Sequence, residues 1–117
     1  MRTKKLLLVL PKLANNPYTN NRYTTHLTGF KSSFINTQLP TLAALTPEEF
    51  DVTIADENVR KIPFDEHFDL VGITGFSTEL IRAKEIADTF RSKSIPVICG
   101  GPSVSSSPER WRPFSDI

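Results

Sequence analysis

Four short apolar runs constrain the fold of this chain more than any other feature. They read KLLLVL at 5–10, DVTIA at 51–55, DLVGIT at 69–74 and IPVIC at 95–99. Three of them are nearly continuous in apolar residues, whereas a strand with one face in water alternates apolar and polar residues. The pattern therefore predicts strands buried on both faces, as in a parallel sheet covered by helices.

Helical patterns separate these runs. The segment 77–93 carries one apolar stripe at three- and four-residue spacing, formed by Leu80, Ala83, Ala87 and Phe90. A shorter helix is predicted over 36–46, which Pro47 ends. A helical turn interrupted by Pro63 is predicted within 59–68, and a last helix begins near Ser107.

Strands that alternate with helices predict an α/β fold with a doubly wound parallel sheet, similar to Rossmann and flavodoxin folds. The predicted strand order is 2-1-3-4. The 117 residues suit one domain, 1–117. A fifth strand is expected where the sequence ends, so we expect a domain fragment or a truncated domain. An edge strand left without that neighbour would allow a homodimer.

Charge and cysteine content exclude several classes of function. The formal net charge is +1 and no basic cluster is present, which argues against nucleic acid as a partner. The single cysteine, Cys99, can form neither an internal disulfide nor an iron–sulfur cluster. The apolar run Leu6–Leu10 is too short to span a membrane. We therefore expect a cytoplasmic protein without a membrane partner.

The carboxyl ends of the strands are the predicted binding edge, because ligands of open parallel sheets bind there. The long segment 11–35 has no clear periodicity and follows the first strand at this edge. Eight further residues are the candidate cofactor-binding residues: Thr74, Gly75, Phe76 and Ser77 after the third strand, and Gly100, Gly101, Pro102 and Ser103 after the fourth. Ordinary turns and helix caps would explain the same residue types. No catalytic residue and no metal ligand is predicted.

Two other groups allow a functional or a purely structural interpretation. Asp56, Glu57 and Asn58 follow the second strand, where an acid can bind a ribose, although their composition favours a solvated turn over such a contact. Cys99 ends a predicted buried strand, which favours a small core residue over a nucleophile.

From about Leu6 to its end, the sequence resembles the cobalamin (vitamin B12) binding domain at the amino end of many radical S-adenosylmethionine (radical-SAM) enzymes. The likeness is strongest from Val52 to Glu109. Those enzymes include the anaerobic cyclase of magnesium-protoporphyrin monomethyl ester and several methyltransferases. The DLVGIT strand, the amphipathic helix and the VICGGPS segment carry the likeness. The wider fold has a serine-x-leucine element after its third strand and a Gly-Gly pair after its fourth. Thr74-Gly75-Phe76 and Gly100-Gly101 stand in those places.

The resemblance implies a module that binds cobalamin and contributes no catalysis alone. In the parent enzyme it would serve methyl transfer or radical cyclisation. S-adenosylmethionine and a [4Fe-4S] cluster would belong to a downstream radical-SAM domain, its partner. The cofactor's nucleotide tail would lie between strands and helices at the two exits. A Trp substituted for Gly101 is then expected to abolish retention of the corrin while leaving the fold intact.

Two departures from the family pattern qualify this interpretation. The wider fold often has an Asp-x-His-x-x-Gly element whose histidine ligates cobalt, but Leu10-Pro11-Lys12-Leu13-Ala14 stands in its place. A base-off cofactor without a protein histidine below cobalt is therefore implied. The Cys-x-x-x-Cys-x-x-Cys element of radical-SAM enzymes is also absent. The alternatives are a flavin- or nucleotide-binding domain of flavodoxin type, and a receiver-like signalling domain.

Overall fold

The computed structural model describes residues 4–12, 38–75 and 80–116, and these form a four-stranded, fully parallel sheet. The strands are β1 (Lys4–Leu10), β2 (Phe50–Asp56), β3 (Leu70–Thr74) and β4 (Val97–Gly100). They lie in the order β2-β1-β3-β4, which confirms the predicted fold class and strand order. Because β1 and β3 are central, their side chains are covered on both faces, as their nearly continuous apolar sequences indicate.

The helices are α1 (Gln38–Leu45), α2 (Leu80–Ser92), α3 (Pro102–Ser106) and α4 (Pro108–Trp111), followed by a 3₁₀ turn at Arg112–Phe114. The apolar stripe of α2 is buried, as its spacing predicts. The predicted helical turn within 59–68 is wrong, since this stretch forms turns without a helix. The sequence analysis also missed α3, whose first residue, Pro102, has a fixed φ that suits a helix start.

The two faces of the sheet carry different cores. On one face, α2 and the carboxyl-terminal turns pack against β1, β3 and β4, around large buried side chains that include Phe68, Phe90 and Trp111. On the other face, a smaller cluster joins Leu6, Leu8 and Leu10 of β1 to Leu39, the one buried residue of α1. The α1 helix thus covers its face of the sheet much less completely than α2 covers the other.

Side chains near the carboxyl terminus occupy the outer edge of β4. The amide of Val97 donates to Asp116 Oδ2 at 2.7 Å, and the amide of Asp116 donates back to the Val97 carbonyl at 2.7 Å. The Cys99 amide donates to Ser115 Oγ at 3.1 Å. These contacts satisfy edge groups that would otherwise invite another strand. The predicted homodimer stays a prediction.

The longest helix among the described residues, α2, has 13 residues. None of the helices in this part of the chain has both the length and the apolar composition needed to span a bilayer.

Candidate functional site

The two predicted strand exits lie side by side. Thr74 pairs with Gly100 in the register of β3 and β4, and both residues end their strands. A Cβ atom added to Gly101 would lie 2.7 Å from Thr74 Oγ1 and 3.5 Å from the amide nitrogen of Gly75. The fold therefore brings these four candidate residues into direct contact. Phe76 and Ser77 lie outside the described residues.

Gly101 is fixed by its backbone as well as by its neighbours. Its φ of 111° lies in a region that side-chain-bearing residues rarely adopt, and its carbonyl accepts the Ser105 amide at 3.1 Å in the first turn of α3. The expectation that Gly101→Trp leaves the fold intact is therefore wrong, because any side chain here strains the backbone. Among the described residues, Gly100 has no heavy atom within 4 Å of its added Cβ.

The two remaining candidate residues begin α3. Pro102 is exposed, whereas Ser103 is 7% exposed and lies among the side chains of the α2 face. Its Oγ accepts a hydrogen bond from Trp111 Nε1 at 3.0 Å. The hydroxyl of Ser103 thus acts as the hydrogen-bond acceptor of the buried indole. Its predicted role toward a cofactor remains a prediction.

An apolar cleft opens between α1 and the sheet, with a volume of about 660 Å³. Its sheet side consists of Leu6 and Leu8 of β1, Leu70, Gly72, Ile73 and Thr74 of β3, and Ile98 and Gly100 of β4, followed by Gly101. Its helix side consists of Gln38, Leu39, Thr41, Leu42 and Thr46. None of these described lining residues is charged. The volume lies in the range of ordinary small-molecule sites.

Gly72 is one of the lining residues that the sequence did not single out. Side chains alternate along a strand, so Gly72 shares its face of β3 with Thr74 and Leu70. A Cβ on Gly72 would approach Leu8 Cδ2 to 3.0 Å, and a larger side chain would extend into the cleft. The signal was present in the sequence, because a glycine inside an otherwise apolar strand often marks a close approach by a ligand or by backbone.

Polar groups collect at the end of the cleft that faces the strand exits. Thr74 is 4% exposed, and its Oγ1 donates to Gln38 Oε1 of α1 at 2.9 Å. This hydrogen bond connects the first described residue of α1 to the end of β3. The cleft is therefore apolar along its length and polar at its mouth.

Within the segment Asp56-Glu57-Asn58, Glu57 lies in the turn after β2 and has a structural role, while contact of this segment with a ribose stays a prediction. Arg82 of α2 donates from Nε to Glu57 Oε1 at 2.8 Å and from Nη2 to Oε2 at 2.5 Å, and the Lys12 amide also donates to Oε1, at 3.0 Å. Burial raises the pKa of the Glu57 carboxyl, but the hydrogen bonds from Arg82 and Lys12 outweigh it and hold that pKa below its usual 4.5. Glu57 thus joins the ends of β1 and β2 to α2.

Cys99 and the potential metal ligands among the described residues show no reactive arrangement. Burial raises the pKa of the Cys99 thiol to about 11, so this thiol is protonated at neutral pH, as a core residue would be. Among residues 4–12, 38–75 and 80–116, no cluster of histidine, cysteine and acidic side chains could hold a metal ion.

The chain is similar to parts of two curated enzymes. It is 39% identical over 79 residues, 67% of its length, to bacteriochlorophyllide d C-8(2)-methyltransferase of Chlorobaculum tepidum, and this match covers 18% of that enzyme. It is 32% identical over 75 residues, 62% of its length, to hopanoid C-2 methylase of Rhodopseudomonas palustris, covering 14% of it. The chain thus matches less than a fifth of each relative. No family model and no solved structure matches it.

Proposed function

We propose that this chain is the cobalamin-binding module of a methyl-transferring radical-SAM enzyme. Both curated relatives are named as methylating enzymes, which favours methyl transfer over cyclisation for the parent protein. The match to a small part of each relative suits a module that serves a larger catalyst.

The observation that carries the proposal is the apolar cleft that opens at the joined exits of β3 and β4. Cobalamin has a bulky nucleotide tail, which needs a long cavity between a sheet and a helix. Here Gly72 and Gly100 leave that space open, and the cleft lies on the sheet face that α1 covers only in part. Glycines at these two positions support the proposal, because larger side chains there would reduce the room for the tail.

The cleft also fits in its polarity. A tail with an aromatic end and a polar sugar-phosphate would place the aromatic end against Leu6, Leu8 and Ile98. Its polar part would meet Thr74 and the backbone of Gly101 at the mouth. Apolar walls with a few convergent polar groups are typical of cofactor sites.

In the parent enzyme, cobalamin would supply the methyl-carrying chemistry, and this chain would hold and orient the cofactor. S-adenosylmethionine and the [4Fe-4S] cluster would be bound by a separate radical-SAM domain, the partner of this module. The strand exits would form the surface on which the corrin lies.

The test is retention of hydroxocobalamin. The purified 117-residue chain is mixed with the cofactor, desalted and measured by visible absorption. We expect stoichiometric corrin absorbance on the wild type and its loss in Gly100→Trp, since the added ring would extend from an open position into the cleft mouth.

Ser105→Trp is the matched control, because Ser105 is exposed on α3 and does not line the cleft. Both variants must keep the circular dichroism of the wild type. Absence of corrin absorbance on the wild type would refute the proposal. Equal retention by both tryptophan variants would refute the location of the site. Retention of flavin mononucleotide in a parallel trial would favour the flavodoxin-type alternative.

A further inference from the structure

We infer that Gln38 is a latch on the cleft, which holds α1 against the end of β3 and competes with a ligand for the Thr74 hydroxyl. This inference concerns the regulation of the proposed cofactor site and rests on the proposed function for its ligand. Its structural basis is the hydrogen bond from Thr74 Oγ1 to Gln38 Oε1, 2.9 Å long, at the cleft mouth.

The surroundings of Thr74 limit the hydrogen bonds that its hydroxyl can form. Thr74 is 4% exposed, and its Oγ1 lies 2.7 Å from the place where Gly101 would carry a Cβ. A hydroxyl has one hydrogen to donate. While that hydrogen is donated to Gln38, Thr74 cannot donate it to a ligand. A ligand that takes this donor must therefore displace the Gln38 carboxamide.

The shallow burial of α1 makes this hydrogen bond important. The helix has 8 residues, with Leu39 as its one buried residue, while Leu42 is 47% and Leu45 is 77% exposed. A helix this short is marginal by itself and depends on its contacts with the sheet. Loss of the hydrogen bond to Thr74 is expected to let the first turn of α1 move away from β3 and widen the cleft.

If Gln38 is a latch, removing its side chain should increase the affinity for the ligand, whereas a purely supporting role predicts no increase. In Gln38→Ala the ligand no longer competes with the carboxamide. Cobalamin is then expected to associate faster and to bind roughly two- to tenfold more tightly, the factor that one net hydrogen bond represents. If Gln38 instead supported the site, the same substitution would weaken binding.

A ligand-free measurement tests the latch independently of cobalamin. Hydrogen–deuterium exchange of the backbone amides at 42–46 is compared in wild type, Gln38→Ala, Thr74→Val and the double variant. Each single variant is expected to speed exchange by roughly two- to tenfold, and the double variant is expected to add little, because both substitutions remove one interaction. Alanine has a higher helix propensity than glutamine, so propensity alone would slow exchange in Gln38→Ala.

Glu48→Gln is the control, since Glu48 is exposed in the turn after α1 and does not line the cleft. Its exchange and binding are expected to match those of the wild type. Unchanged exchange in the single variants, or additive effects in the double variant, would overturn the latch. So would weaker cobalamin binding by Gln38→Ala. A wild type that binds no cobalamin would refute the proposed function, and the exchange cycle would still decide the latch.

Discussion

The glycine pair at the end of β4 offers a sharp test of the geometry at the strand exits, because the same substitution should affect stability at one position and not at the other. Gly101 has a φ of 111° and would place a Cβ 2.7 Å from Thr74 Oγ1. Gly100 has no atom of residues 4–12, 38–75 or 80–116 within 4 Å of its added Cβ. We therefore expect Gly101→Ala to destabilise the fold strongly and Gly100→Ala to have almost no effect.

The magnitude follows from two contributions. A side chain in this backbone region costs about 1–3 kcal/mol in strain. Forcing the contact with Thr74 open adds about 1–3 kcal/mol, the usual cost of overpacking. Gly101→Ala should thus lower the free energy of unfolding by about 2–6 kcal/mol, a large part of the 5–15 kcal/mol typical of a domain. Gly100→Ala should stay within about 0.5 kcal/mol.

Urea unfolding followed by fluorescence of Trp111, the single tryptophan, measures both values. We expect a midpoint lower by at least about 1 M for Gly101→Ala. Adding Thr74→Ala should restore only the steric part, because the backbone strain remains. Equal midpoints for the two glycine variants would refute the arrangement in which Gly101 packs against Thr74.

Three further predictions concern the elements around the site. Arg82→Ala should lower the free energy of unfolding by about 1–2 kcal/mol, because it leaves the partly buried Glu57 carboxylate without its guanidinium. The pKa of Glu57 is depressed in the folded chain, so its contribution to stability is present above pH 4.5 and is lost as the pH falls further. A pH series of urea midpoints should show a much smaller acid-dependent loss of stability in the variant than in the wild type. Cys99 should react with iodoacetamide at pH 8 far more slowly in the folded than in the urea-unfolded chain, because its pKa of about 11 leaves about a thousandth of it as thiolate. Ser103→Ala should cost about 1–3 kcal/mol and shift the emission of Trp111, whose buried indole loses its acceptor.

Each of these predictions has a clear contrary result. A pH profile of stability unchanged by Arg82→Ala would contradict the role of the Glu57 ion pair. Equal alkylation rates in the folded and unfolded chain would contradict the burial of Cys99. An unaltered Trp111 spectrum in Ser103→Ala would contradict the hydrogen bond between the two side chains.

The sheet could be predicted from the sequence because each of its strands has a recognisable apolar pattern of its own. Continuous apolar runs indicated burial on both faces, and the stripe of α2 indicated which helical face packs. Right-handed crossovers between parallel strands restrict the possible topologies, and the order 2-1-3-4 is one of those they leave. In contrast, α3 was missed because its five residues, PSVSS, have no apolar period and depend on Pro102 and the backbone of Gly101 for their start.

The candidate site could be predicted only in part. Small residues at the strand exits indicated Thr74, Gly75, Gly100 and Gly101, and the fold brings them together. The partnership of Thr74 with Gln38 joins residues 36 positions apart, and no local pattern marks it. The roles of Glu57 and Ser103 were likewise hidden, because their partners are set by how α2 and α4 pack.

The central claim is that the cleft between α1 and the sheet receives cobalamin, and amide chemical-shift mapping tests it most directly. Hydroxocobalamin is titrated into the ¹⁵N-labelled chain. The account predicts that the largest shifts fall on Leu8, Gly72, Ile98 and Gly100, and that Glu109 on α4 is unaffected. Shifts confined to the α2 face, or no shifts at all, would contradict it.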